Sequence, residues 1–265
     1  MKLGFLITAR LKSSRLPYKL LLDLNGKPMI ERVIERCLQV VDPSNVVLCT
    51  SENTQDNPLE AIAFRSGIKC FRGSEQDVLG RLNEAATTNE FDYVLNITGE
   101  NPLFDIENAI KAKQKLIDAD ADFVYSEGLP IGCSVYGLKT KALEVICQIK
   151  QELDTEIWGY LINRPEIFKV EKLIVEESEQ LNNVRITSDY PADFELISQL
   201  FAHFRPEDIP PYDVIKEILI NQPSLLEINS QFKQADVDEE MKGRINAFFK
   251  TKHQDILNLK ASIYN

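Results

Sequence analysis

The feature that most constrains this chain is its alternation of short apolar runs with helical spacing. Apolar runs of strand length fall at Leu3–Thr8, 45–50, 68–71, Tyr93–Thr98 and 123–126. Between the first two, Met29, Ile30, Val33, Ile34, Cys37 and Leu38 recur at helical spacing, with Pro28 opening the helix. Helical patterns also cover 59–66, closed by Gly67, and then 77–88 and 105–118. A strand that reads as nearly continuous apolar residue is buried on both faces. The order therefore predicts an α/β, doubly wound, mostly parallel, Rossmann-like sheet with helices on both sides. Ligands of such sheets bind beyond the carboxyl ends of the strands.

The pattern changes after Gly128. Residues 133–138 read as an antiparallel strand and 141–150 as a helix. Residues 168–175 and 184–187 are further strand candidates, and 190–204 reads as a helix. Pro206, Pro210 and Pro211 then mark 205–212 as a linker. The remaining C-terminal segment is polar and helical, with apolar anchors at 218–220 and 245–249. The expected organisation is one domain over 1–204 and a helical C-terminal extension over 205–265.

Several function classes are excluded early. Asp plus Glu outnumber Lys plus Arg by 41 to 30, a net charge of −11. Nucleic-acid binding needs a basic field, so it is not expected; a small anionic substrate needs only a local basic pocket. Apolar runs stay well short of a membrane span, and Leu3–Thr8 runs directly into Arg10, unlike a signal peptide. Five cysteines with no Cys-x-x-Cys pair suggest reduced thiols in a cytoplasmic protein. Only two histidines occur, His203 and His253, which disfavours a Ser-His-Asp triad or a zinc site. Metal chemistry would rest on carboxylates, and so on Mg2+ or Mn2+.

Four segments carry candidate chemistry. Ala9-Arg10-Leu11-Lys12-Ser13-Ser14-Arg15-Leu16-Pro17-Tyr18-Lys19 follows the first strand and packs four cations and two serines into eleven residues. Guanidinium forks, an ammonium and small residues suit a polyphosphate. Asn25-Gly26-Lys27-Pro28 is a tight turn from which Lys27 is able to reach a phosphate. Gly99-Glu100-Asn101-Pro102-Leu103-Phe104-Asp105 follows the fourth strand; Asp105 reads as a helix N-cap, while Glu100 has no capping role. In Val184–Phe194, Asp189 reads equally as a helix cap or a metal ligand, and Asp193 as a first-turn acid facing the helix dipole.

The chain resembles the cytidylyltransferases that make CMP-activated sugar acids, the CMP-Kdo and CMP-acylneuraminate synthetases. Within them it looks most like the spore-coat polysaccharide type F branch. The resemblance rests on 9–19, Gly26-Lys27-Pro28-Met29, the run 72–79 (Arg-Gly-Ser-Glu-Gln-Asp-Val-Leu), 99–105 and 185–194, all in family order over roughly the first 200 residues. It implies a nucleotide-diphospho-sugar transferase-like fold and transfer of CMP from CTP to a sugar or sugar-acid acceptor, with pyrophosphate released. Arg10, Arg15 and Lys19 would grip the phosphates, in a loop that includes Ala9, Ser13 and Ser14. Glu100 and Asp189 would hold Mg2+. Ser74 and Asp77 would lie near the nucleotide or acceptor. Relatives pair as homodimers through the excursion after the fifth strand, here about 129–168, where Trp158 and Tyr160 are candidate anchors or core residues.

Three departures stand out. Glu100 replaces the family's aspartate, Lys12 and Tyr18 replace loop glycines, and Glu156-Ile157-Trp158 replaces an acid–histidine pair. Two other readings compete with CMP transfer: a glycosyltransferase using a nucleotide-sugar donor, and a non-catalytic nucleotide-binding subunit.

Overall fold

The computed structural model describes residues 1–151, 155, 158–181, 183–232, 234 and 237–265. Seven strands form one sheet: β1 (Leu3–Thr8), β2 (Val46–Ser51), β3 (Lys69–Gly73), β4 (Tyr93–Thr98), β5 (Phe123–Glu127), β6 (Tyr136–Lys139) and β7 (Val170–Ile174). Their order is β3-β2-β1-β4-β6-β5-β7. β1 pairs in parallel with both β2 and β4, so the strand order reverses at β1. β6 runs antiparallel to both neighbours, β4 and β5, and is the expected excursion.

The helices are α1 (Met29–Cys37), α2 (Asn57–Arg65), α3 (Val78–Thr88), α4 (Ile106–Asp118), α5 (Thr140–Ile149), α6 (Gly159–Ile162), α7 (Pro191–Phe201), α8 (Tyr212–Asn221) and α9 (Glu239–Tyr264). They bury two apolar layers. On one side β1, β2 and β4 residues such as Phe5, Leu48 and Leu95 meet α1, α2, α4, α7 and α8. On the other, Leu6, Val47 and Val94 meet α3, α5, α6 and α9. Successive strand residues point to opposite faces, which is why neighbours such as Phe5 and Leu6 enter different layers.

Two expectations need correction. Residues 184–187 do not extend the sheet; they form a single parallel bridge, Ile131 with Arg185. Their amides and carbonyls instead join the 128–133 turn, through Ile131 N to Val184 O and Ile186 N to Ile131 O. The proline-rich stretch at 205–212 is no free tether. Arg32 and Arg36 of α1, both buried, donate to the carbonyls of Pro206 and Pro210 at 2.7 Å each. Burial pulls the Arg36 guanidinium down to about 10.

The residues after this stretch pack on both layers. Tyr212, Ile215, Leu219 and Leu225 join the first, and Ile245, Phe249 and Ile256 of α9 join the second. The end of α9 also closes on β5. Buried Asp122 accepts from Lys260 Nζ and the Tyr264 hydroxyl at 2.6 Å each, and from the Lys169 amide at 2.9 Å. Trp158 is buried edge-on to Phe123 and Tyr136, a core position, and Tyr160 donates to Asn246 of α9. Glu156 and Ile157 lie outside the described residues. No helix among the described residues is long and apolar enough to cross a membrane.

Candidate active site

The site forms at the carboxyl ends of β1 and β4, adjacent strands at the point where the order reverses. The basic loop leaves β1 pinned to its neighbour. Ala9 N donates to Cys49 O at 3.0 Å, and Leu11 N to Asp56 Oδ1 at 2.7 Å. Ser13 Oγ accepts from Leu16 N, and Ser14 is exposed. Tyr18 then turns the chain at φ 54, the left-handed region, into a short 3-10 turn at Lys19–Leu21. A glycine adopts that φ without strain, which is the physical sense of the family's usual residue there.

The loop after β4 is fixed from three sides. Gly99 N donates to Thr8 O at 2.8 Å, Asp105 N to Cys133 O at 2.9 Å, and Ser188 N to Glu100 O at 2.9 Å. Asp105 caps α4 by accepting from Glu107 N, as expected. Gly132 sits at the seam of the three loops with φ +96. A Cβ there would stand 2.6 Å from Ile186 O and 2.9 Å from Asn101 Oδ1. Gly132→Ala should cost about 2–3 kcal/mol through strain and backbone displacement. Thermal melting checks this, and an unchanged midpoint would contradict the tight seam.

Asp189 is the convergence point. Lys19 Nζ reaches its Oδ1 at 2.9 Å, Arg15 Nη2 reaches the same oxygen at 3.3 Å, and Arg185 Nη2 reaches Oδ2 at 2.5 Å. Glu100 is near enough to act on Arg15. The Arg15 guanidinium is held above its ordinary value first by its hydrogen bond to Tyr190, then, against partial burial, by Asp189 and Glu100. For Asp189, burial pushes the carboxyl up, but Lys19, Arg15 and Arg185 outweigh it and hold it below the usual range. A carboxyl depressed on folding stabilises fully above its unfolded value, about 4, and that contribution disappears as pH falls through the lower folded value. Acid titration of the melting temperature should therefore fall less steeply below about pH 4 for Asp189→Asn than for the wild type. Parallel curves would refute this.

Asp193 does more than favour the α7 dipole. It is fully buried and accepts from Arg185 Nε at 3.1 Å, Asn229 Nδ2 at 2.8 Å, Asp189 N at 3.0 Å and Tyr190 N at 2.9 Å. Arg185, itself buried, thus bridges Asp193 and Asp189. Asp193, Arg185 and Asn229 lie outside the expected site set. Arg185 and Asp193 stand in the fifth motif, but nothing in a linear sequence marks Asn229 as their partner.

The remaining candidates form a second wall. Arg10 Nη1 donates to Glu75 O at 3.3 Å, and Lys12 pairs with Glu75 at 2.8 Å. Ser74 Oγ accepts from Asp77 N, and Ser74 O accepts from Arg81. Asp77 caps α3 through Gly80 N and also accepts from Thr155 Oγ1 and, at 2.6 Å, from Lys150 Nζ. The basic loop thus spans from the 74–77 turn to Asp189. Lys27 stands apart from both walls in its pairing: its ammonium bonds Glu35 of α1, beside Arg32.

Comparison with known proteins fits this geometry. The cytidylyltransferase family model matches residues 5–241. An uncharacterized protein of Methanocaldococcus jannaschii is 30% identical over 241 residues, covering 90% of this chain and 99% of that protein. The spore coat polysaccharide biosynthesis protein SpsF of Bacillus subtilis is 29% identical over 212 residues, covering 77% of this chain and 88% of SpsF. Among solved structures, a cytidylyltransferase from Leptospira borgpetersenii superposes with a TM-score of 0.79 at 25% identity, over 89% of this chain and all of that one. A match spanning all five motifs and both walls of the site leads to one conclusion: the chain belongs to the cytidylyltransferase family, and is a nucleotidyltransferase.

Proposed function

We propose that the protein transfers CMP from CTP to a sugar or sugar-acid acceptor in surface-polysaccharide or glycan synthesis. The observation that carries the reading is the convergence of Lys19, Arg15 and Arg185 on Asp189 beside Glu100. Buried Asp193 offsets Arg185, so Lys19 and Arg15 together outweigh Asp189 by one charge, and a divalent cation at Glu100 would leave the site positive for a triphosphate.

The acceptor hydroxyl oxygen attacks the α-phosphorus. The bond from that phosphorus to the bridging oxygen breaks, pyrophosphate leaves with the electron pair, and the hydroxyl proton passes to solvent. Arg15 and Lys19 hold phosphate oxygens and offset the charge that builds on the leaving group. Arg10, with Ser13 and Ser14, extends the grip toward the 74–77 turn. Lys27 pairs with Glu35 of α1 and not with the Asp189 network or the 74–77 turn.

The donor chemistry fits a hard divalent cation. Glu100 and Asp189 come from loops joined by the Ser188–Glu100 hydrogen bond, and Mg2+ takes one or two carboxylates plus substrate phosphate oxygens. Among the described residues no cluster of three or more acids, cysteines or histidines is poised to hold a metal, so an ion here shares its ligands with the nucleotide. When bound, Mg2+ neutralises phosphate charge.

Calorimetry with the four ribonucleoside triphosphates and Mg2+ tests the reading, followed by pyrophosphate release across a panel of sugar-acid acceptors. CTP should bind best. Tighter binding of UTP or GTP removes the assignment, and preference for a nucleotide-sugar over CTP favours glycosyl transfer instead.

A further inference from the structure

We infer that Asn229, Phe232 and Gln234, from the C-terminal part of the chain, act as positioning residues for the nucleotide site. The inference rests on CTP being the nucleotide bound, and adds a strap that aims the site's cations.

Each of the three touches a different part of the Asp189 network. The buried Asn229 amide donates to Arg185 O at 3.0 Å and to Asp193 Oδ1 at 2.8 Å. Gln234 Oε1 accepts from Arg185 Nη1 at 2.6 Å. Gln234 thus takes one terminal nitrogen of the guanidinium while Asp189 takes the other, and Asp193 takes Nε. A planar fork with all three edges bound has one orientation, and that orientation fixes where Asp189 points.

Phe232 works through a ring. It stacks on Tyr190 with centroids 4.0 Å apart and planes 14° from parallel. Tyr190 in turn carries Arg15. The Arg15 guanidinium lies 4.8 Å from the ring centre, and Arg15 Nη1 donates to the Tyr190 hydroxyl at 3.2 Å. The Arg15 side chain is 44% exposed and long. Left to itself it would sample many rotamers, and holding it before substrate arrives removes an entropy cost from binding. Phe232 never needs to meet the nucleotide to matter. It holds the ring that holds the cation.

The test is a double-mutant cycle on CTP affinity with Mg2+, read by calorimetry on the full chain with melting temperatures recorded alongside. Phe232→Ala should weaken CTP about five- to tenfold, the size expected for a lost aromatic stack. Phe232→Tyr, which keeps the stack, should restore binding to within about twofold. In an Arg15→Ala background, Phe232→Ala should cost nothing more, because the two act in series. Should Phe232→Ala melt early, Gln234→Ala decides: Gln234 is exposed, so water can take its place on Arg185 Nη1, and the change should weaken CTP about threefold while moving the midpoint by no more than about 3 °C. The strap is overturned if Arg15→Ala loses affinity while Phe232→Ala and Gln234→Ala match the wild type, or if the Phe232 and Arg15 losses add in full. Failure of the wild type to bind CTP overturns the underlying reading instead, so the two failures are distinguishable.

Discussion

Asp193→Ala should lower the melting temperature by about 10 °C, the equivalent of roughly 3–5 kcal/mol for a chain of this size. The substitution removes the acceptor for four donors at once: Arg185 Nε, Asn229 Nδ2 and the amides of Asp189 and Tyr190. Arg185 is buried, so its charge would lose half of its pairing without gaining water. A buried charge stripped of a partner is among the costliest single changes available. Asp193→Asn keeps the shape and part of the hydrogen bonding, and should fall between wild type and alanine. Differential scanning calorimetry of the three proteins decides. Equal midpoints would mean that Asp193 carries no more than an ordinary first-turn acid.

The second large effect is on rate. Lys19→Met should reduce pyrophosphate release by about 100- to 1000-fold, the usual loss when one preorganised donor to developing charge is removed. The Lys19 side chain is only 9% exposed, and methionine fills a similar volume. Asp189 keeps Arg15 and Arg185, so the fold should hold and the midpoint should move by no more than about 3 °C. The control is the pairing of the two measurements. A large rate loss with an unmoved midpoint places Lys19 in the chemistry. A moved midpoint with an unchanged rate would reduce it to a structural ion pair.

These two residues show what a sequence displays and what it conceals. Lys19 is legible because its neighbourhood is local: four cations crowd into a short loop after an apolar strand in an otherwise acidic chain. Glu100 and Asp105 are legible for the same reason, directly after β4. The parallel core is legible because strands covered on both faces read as unbroken apolar runs. β6 is approximately legible as an antiparallel strand, but its insertion between β4 and β5 depends on pairings that no local pattern encodes. Residues 184–187 have strand composition yet add no strand to the sheet; they bridge Ile131 once and serve the loop seam instead. Asp193 reads as an ordinary acid because its partners, Arg185 and Asn229, are eight and 36 positions away. The anchoring of Pro206 and Pro210 by α1 spans 174 positions, beyond the reach of any turn rule.

Asp122 has a consequence for how the molecule is made. The acid and Lys260 are separated by 138 positions. At ordinary translation speed a nascent chain exposes β5 roughly ten seconds before its cationic and phenolic partners exist. During that interval the carboxylate must stay hydrated, so the α9 side of the sheet cannot be sealed around it. The order of synthesis therefore leaves the layer of α1, α2, α4, α7 and α8 to organise first and reserves closure of the opposite layer for the last residues of α9.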